Sequence, residues 1–78
     1  MRAIDLKDVE HVLREAFPKA TLPGPVEGLK LGDFEAWDSL GNFNLLLAFE
    51  EFYDVRFTPD EMASVQSVAS IIAALARK

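Results

Sequence analysis

Residues 37–50 have the sequence WDSLGNFNLLLAFE, in which a short polar turn passes into an almost continuous apolar run. The apolar residues recur at three- and four-residue spacing but cover more than one face of a helix. We predict a helix over Ser39–Tyr53 that lies at the centre of a small domain and leaves some apolar side chains for a partner or a ligand cavity. Ser39 stands where this helix begins, between Asp38 and Leu40.

Three more helices are predicted around this one. The first covers Asp5–Phe17, with an apolar stripe, an aspartate as cap and a proline as stop signal. A short helix is predicted over Thr58–Ser64, which opens with a capping-box pattern, and the last covers Ser67–Ala76. The predicted fold class is therefore all-α: a bundle of three main helices and one short helix. The long loop between the first two helices, residues 18–37, is expected to cross from one end of the bundle to the other.

Length and composition limit the possibilities further. The chain has 78 residues, half of them apolar, and no cysteine. This supports one domain over residues 1–78 and excludes disulfides and cysteine-based metal sites. No secretion signal is evident, and the longest strongly apolar run, Leu45–Phe49, is too short to cross a membrane. We expect a soluble, cytoplasmic monomer without membrane insertion.

The negative charge is concentrated in one part of the chain. Eight acids and one base lie between Asp33 and Glu61, whereas the net charge of the whole chain is −5. Such a field repels nucleic acid and anionic lipid and attracts basic protein surfaces. The alternative is a solvated acidic surface that only keeps a small protein in solution.

Ser39 has three possible roles. A catalytic serine needs a base within reach, yet the chain has a single histidine, His11, on the first helix, and no Gly-x-Ser-x-Gly elbow. Without a metal cluster or a phosphate-binding glycine loop, no enzyme is expected. As a helix cap, Ser39 would turn its hydroxyl back to the backbone. Aspartate caps at least as well, however, and if Asp38 caps, the Ser39 hydroxyl points to solvent, where a phosphate ester would lie beside unpaired N–H groups.

In these features the chain resembles acyl carrier proteins and the related peptidyl carrier domains. The resemblance covers residues 33–76 and rests on Asp-Ser-Leu at 38–40, the apolar helix after it, the Glu50-Glu51 pair, the stretch 52–55, the short-helix start at 58–61 and the final helix. The first helix and the long loop agree in length and pattern.

The resemblance implies that Ser39 receives a 4′-phosphopantetheine arm from coenzyme A through a phosphopantetheinyl transferase. The arm would carry acyl or aminoacyl groups as thioesters to loading and transferring enzymes with basic docking surfaces. Asp38 and Leu40 would flank the attachment point. The partner surface would consist of Glu50, Glu51, Asp54 and Glu61. A helical interaction module that keeps this fold without the modification is the alternative.

Three departures from fatty-acid carriers point to a dedicated biosynthetic pathway, whether of fatty acids, polyketides, polysaccharides or aminoacyl products. Gly41 and Asn44 stand where acids are common in those carriers, and Gly41 costs about 1 kcal/mol of helix propensity, which favours a looser first turn. Trp37 replaces a small residue and is expected to pack on the long loop rather than meet a partner. Core or cavity-lining positions are expected at Leu45, Leu46, Phe49, Phe57, Ile71 and Ile72.

Overall fold

The computed structural model describes residues 3–78, and this part of the chain is mostly helical. It contains four α-helices and one 3₁₀ turn, Val26–Gly28. The helices are α1 (Leu6–Ala16), α2 (Ser39–Tyr53), α3 (Pro59–Ser64) and α4 (Val68–Ala76). Within these residues there is no β-strand, only an isolated bridge between Lys30 and Ser67. The predicted all-α class, with three longer helices and a short one, is confirmed.

The predicted capping residues begin the helices. The Asp5 carboxylate accepts a hydrogen bond from the Lys7 N–H, and α1 therefore starts one residue after it. Thr58 and Glu61 form the predicted capping box at the start of α3: the Thr58 hydroxyl accepts from the Glu61 N–H at 3.1 Å, and the Glu61 carboxylate accepts from the Thr58 N–H at 2.8 Å. This capping box satisfies N–H groups at the start of α3 that would otherwise be unpaired.

The buried side chains form one hydrophobic cluster to which all three longer helices and the long loop contribute. Five of the six predicted core positions are buried, and Ile72 is partly buried against them. The largest fully buried side chains are Trp37, Phe49, Leu13, Leu45, Leu46, Ile71, Leu75, Val9 and Val68. In the described part of the chain, no helix combines the length and apolarity that crossing a bilayer requires.

The long loop does not cross the bundle as predicted. The Phe17 ring, just after α1, packs against Phe34 and Trp37 near the end of the loop, with ring centroids 5.2 and 6.0 Å apart. Both ends of the loop therefore lie together. Between them the loop runs out to the start of α4, where the Val68 N–H donates to the Leu29 carbonyl at 2.9 Å. The loop returns because three aromatic rings pack together at its two ends.

Candidate functional site

Asp38 is the N-cap of α2, and Ser39 is the first helical residue. The Asp38 backbone is extended, and its carboxylate accepts a hydrogen bond from the Gly41 N–H at 2.8 Å. Its carbonyl accepts from the Asn42 N–H at 2.8 Å, which closes the first turn of the helix. The structure thus contains the arrangement predicted from the two neighbouring residues: the aspartate caps and the serine does not.

Ser39 is exposed, and its hydroxyl forms no hydrogen bond with any residue in the range 3–78. Leu40 beside it is 69% exposed. The backbone N–H groups of these two residues lie in the first turn, where α-helical geometry provides no acceptor. An oxygen substituent on Ser39 would therefore meet unpaired donors and the positive end of the helix dipole. Chemically, the site offers a free hydroxyl beside a place for an anion.

Trp37 holds the first turn of α2 from inside the core. It is completely buried, and its indole N–H donates to the Asn42 side-chain oxygen at 2.9 Å. The Asn42 side-chain N–H donates in turn to the Val65 carbonyl at 2.9 Å. The prediction that Trp37 packs against the loop is confirmed. The chain of hydrogen bonds ties the loop before Ser39 to the segment between α3 and α4.

Asn42 is the buried polar residue that the sequence analysis missed. It is 3% exposed, and both polar atoms of its amide are paired inside the core. The sequence does contain one signal. Asn42 lies three, four and seven residues before Leu45, Leu46 and Phe49, hence on the same face of the helix. A polar residue in line with core positions needs buried partners.

Gly41 has a packing role that helix propensity alone did not reveal. A Cβ atom at this position would overlap the Ala36 carbonyl and lie 3.2 Å from the Phe17 ring. The glycine therefore admits the loop against the first turn of α2. The predicted loosening of this turn is not what the contacts indicate, because Asp38 caps the turn and the loop packs on it.

One face of α2 is apolar yet exposed. Leu40, Phe43 and Leu47, here called the α2 stripe, are 69, 48 and 42% exposed. They are spaced by three and four residues and lie opposite the buried face of the helix. This agrees with the prediction that α2 has more apolar side chains than its domain can bury. The stripe begins next to Ser39.

Two of the four predicted partner-surface acids are engaged within the fold. The Glu50 carboxylate accepts a hydrogen bond from the Phe57 N–H at 2.7 Å. The Glu61 carboxylate pairs with Lys78 at 2.8 Å and Arg77 at 3.7 Å besides closing the capping box. The Lys78 hydrogen bond, and after it the Thr58 N–H, lower the pKa of Glu61. Both carboxylates thus have structural partners.

Glu51 and Asp54 remain available. Both are exposed, and neither side chain has a hydrogen-bond or ion-pair partner among the described residues. Asp54 ends α2 in a left-handed conformation, with φ at 55°. Of the four predicted partner-surface acids, the two whose carboxylates are unpaired therefore lie at the C-terminal end of α2.

His11 lies away from the site. Its ring contacts Phe52 near the end of α2, at a centroid distance of 6.0 Å, and its Nε2 atom is 3.8 Å from Glu15. Ser39 is at the opposite end of the same helix. The structure therefore does not bring the single histidine and the serine together.

Comparisons with protein-family models, with curated proteins and with solved structures find no match to this chain. The function is therefore inferred from the residues around Ser39 and from the resemblance of their motif.

Proposed function

We propose that this protein is an acyl or aminoacyl carrier whose Ser39 receives a 4′-phosphopantetheine arm, in a dedicated biosynthetic pathway. The observation that carries the proposal is the exposed Ser39 hydroxyl, left unbonded because Asp38 caps α2. A serine in this position is accessible to a modifying enzyme and is not needed by the fold.

The surroundings of Ser39 fit a phosphodiester. Its N–H and that of Leu40 are unpaired donors at a helix N-terminus, and such donors favour anions. The Asp38 charge opposes the phosphate, but its carboxylate is already hydrogen-bonded to the Gly41 N–H. In the modification, the Ser39 oxygen would bond to the pantetheine-side phosphorus of the coenzyme A pyrophosphate. The bond from this phosphorus to the bridging oxygen would break, adenosine 3′,5′-bisphosphate would leave with that oxygen, and the hydroxyl proton would pass to solvent.

Once attached, the arm supplies a terminal thiol that holds acyl groups as thioesters. The protein itself holds the attachment point on a rigid helix and offers the α2 stripe beside it to partner enzymes. Tethering raises the effective concentration of the cargo at the partner's site without further contacts. Glu51 and Asp54 would guide basic partner surfaces, since charge complementarity favours fast and reversible encounters.

The test is the intact mass after incubation with coenzyme A, Mg²⁺ and a broad-specificity phosphopantetheinyl transferase. Wild type should gain the mass of one arm. Ser39→Ala should gain nothing, and the control Ser64→Ala, which removes another exposed serine, should react like wild type. Because the chain has no cysteine, thiol titration should also rise from zero to one per chain.

No gain on the folded wild type would overturn the proposal and favour the unmodified interaction module, for which the α2 stripe would be the binding face. A gain that survives Ser39→Ala would refute the site.

The partner surface can be tested with the same reaction. Transfer should slow as salt is raised, and less so in the double variant Glu51→Gln/Asp54→Asn, because screening then has fewer charges to act on. Equal salt dependence in both would exclude these acids from docking.

A further inference from the structure

An open groove lies beside the attachment point, between the C-terminal end of α1 and the end of the long loop. Its volume is about 570 Å³, within the range of small-molecule sites. The lining includes Phe17, Lys19, Ala20, Phe34, Glu35 and Asp38. We call it the α1–loop groove.

We propose that the arm on Ser39 folds back into the α1–loop groove, which serves as its resting site. This inference rests on the proposed function and adds where the arm lies when no partner is bound. The groove begins at the attachment point. Asp38 lines the groove and Ser39 is the next residue, so a chain attached to Ser39 starts at the edge of the groove.

The lining of the groove matches the chemistry of the arm. The Phe17 ring is nearly buried and Phe34 is half-buried, so the groove has an apolar floor next to the Ala20 methyl group. Lys19 and Glu35 supply a polar rim. A pantetheine chain has apolar methyl groups and polar amides, which match such a floor and rim. Since Glu35 and Asp38 repel anions, the phosphate would stay at the helix N-terminus and the neutral chain would enter the groove.

The core beside α2 is tightly packed and leaves no opening for the arm. A route inward beside α2 would have to part Leu45, Leu46 and Ile71, all of them fully buried in the cluster. Separating packed side chains sacrifices both their burial and their dispersion contacts. The α1–loop groove is already open and requires no such separation.

The experiment compares amide NMR spectra of the unmodified protein and of the protein carrying the arm, with the modification verified by intact mass. The expected result is a set of shifts at Lys19, Ala20, Glu35 and Ala36. Shifts confined to residues 39–41 would indicate a solvated arm, and shifts at Leu45 and Met62 an arm between helices. Either result would overturn the resting site while leaving the proposed function intact. A wild type that gains no mass refutes the proposed function and this inference with it.

A second measurement uses the reactivity of the arm's thiol, the only thiol present because the chain has no cysteine. Ala20→Trp should fill the groove, and Ala73→Trp places the same side chain on an exposed position of α4. A docked arm is shielded from a disulfide reagent, so wild type and Ala73→Trp should react more slowly than Ala20→Trp. The difference is about threefold if the arm is docked for about two-thirds of the time, since only the free third reacts. Equal rates in all three proteins would contradict docking in the groove.

Discussion

The starts of α2 and α4 both contain serines, and the two places use them differently. At α4 the Ser67 hydroxyl accepts from the Ser70 N–H at 3.1 Å and the two hydroxyls lie 2.8 Å apart, so both are engaged. At α2 the capping is done by Asp38, and the Ser39 hydroxyl is free. A serine at a helix start is therefore available for chemistry when the residue before it is already the cap.

The two starts also differ in what holds them. The first turn of α4 is closed by a capping box within four residues, from Ser67 to Ser70. Both starts also have tertiary contacts. At α4 these join backbone groups, such as the Val68 N–H and the Leu29 carbonyl. At α2 they depend on side chains: Trp37 and Asn42 link the first turn to Val65, and the missing side chain of Gly41 admits the Ala36 carbonyl. Substitutions at the start of α2 should therefore cost more, because they remove the side-chain contacts that hold this turn in place.

The largest expected effect is that of Asn42→Leu. The substitution keeps the branched shape of the side chain but leaves the Trp37 N–H and the Val65 carbonyl unpaired in the core. Two buried, unsatisfied groups cost about 2–6 kcal/mol together, which is comparable to the whole stability of about 3–5 kcal/mol expected of a domain this small. Urea denaturation followed by Trp37 fluorescence would measure it.

The matched control is Asn44→Leu, on the exposed face of the same helix. It should change the free energy of unfolding by no more than about 0.5 kcal/mol. Equal effects of the two substitutions would mean that the Trp37–Asn42–Val65 chain contributes nothing to the start of α2.

The next largest effect is expected of Gly41→Ala, which should lower the free energy of unfolding by about 1–3 kcal/mol. Alanine gains about 1 kcal/mol of helix propensity, but its methyl group overlaps the Ala36 carbonyl and forces the backbone apart. Gly28→Ala is the control, because a Cβ atom there meets no atom within 4 Å and φ is not positive. It should be neutral or stabilising by up to about 1 kcal/mol. A stabilised Gly41→Ala in thermal melts would refute the close packing.

The sequence predicted what depends on neighbouring residues. The bounds of α2, the caps at Asp5, Asp38 and Thr58 and the first helical position of Ser39 all follow from signals within a few residues. These features are set by local hydrogen bonds and by the spacing of apolar side chains, both of which a sequence displays directly.

What the sequence did not provide depends on residues far apart in the chain. Glu50 is predicted to belong to a partner surface, and no local pattern indicates that its carboxylate also accepts a hydrogen bond from the Phe57 N–H across the turn after α2. Asn42 finds its acceptor 23 residues away. The path of the long loop follows from aromatic rings that meet only in the fold. Such pairings decide which acids are free, and periodicity does not encode them.

The two serines themselves give the next prediction. Ser67→Ala removes a working cap and should cost about 1 kcal/mol, within the usual range for cap removal. Ser39→Ala removes a hydroxyl without a partner and should change the free energy of unfolding by less than about 0.5 kcal/mol. Urea denaturation of both variants and of wild type would measure the two changes in the free energy of unfolding. A costly Ser39→Ala would show that the fold uses this hydroxyl after all.

The smallest effect extends the comparison to charge. The capping box of α3 uses Glu61, whose pKa is lowered from its ordinary value of 4.5 chiefly by Lys78, whereas the box of α4 uses the uncharged Ser70. A lowered pKa means that the stabilisation is complete above the ordinary carboxylate range and is lost as pH falls through the lowered pKa.

Glu61→Gln keeps an acceptor for the box but removes the charge. At neutral pH it should cost less than about 1 kcal/mol, since the ion pairs lie at the surface. In acid, below the pKa that Glu61 has in the folded protein, the difference in the free energy of unfolding between Glu61→Gln and wild type should disappear. Ser70→Ala should cost the same at both pH values, because no proton is taken up at that cap. A Glu61→Gln deficit that persists unchanged in acid would show that the carboxylate acts at α3 through its shape and not through its charge.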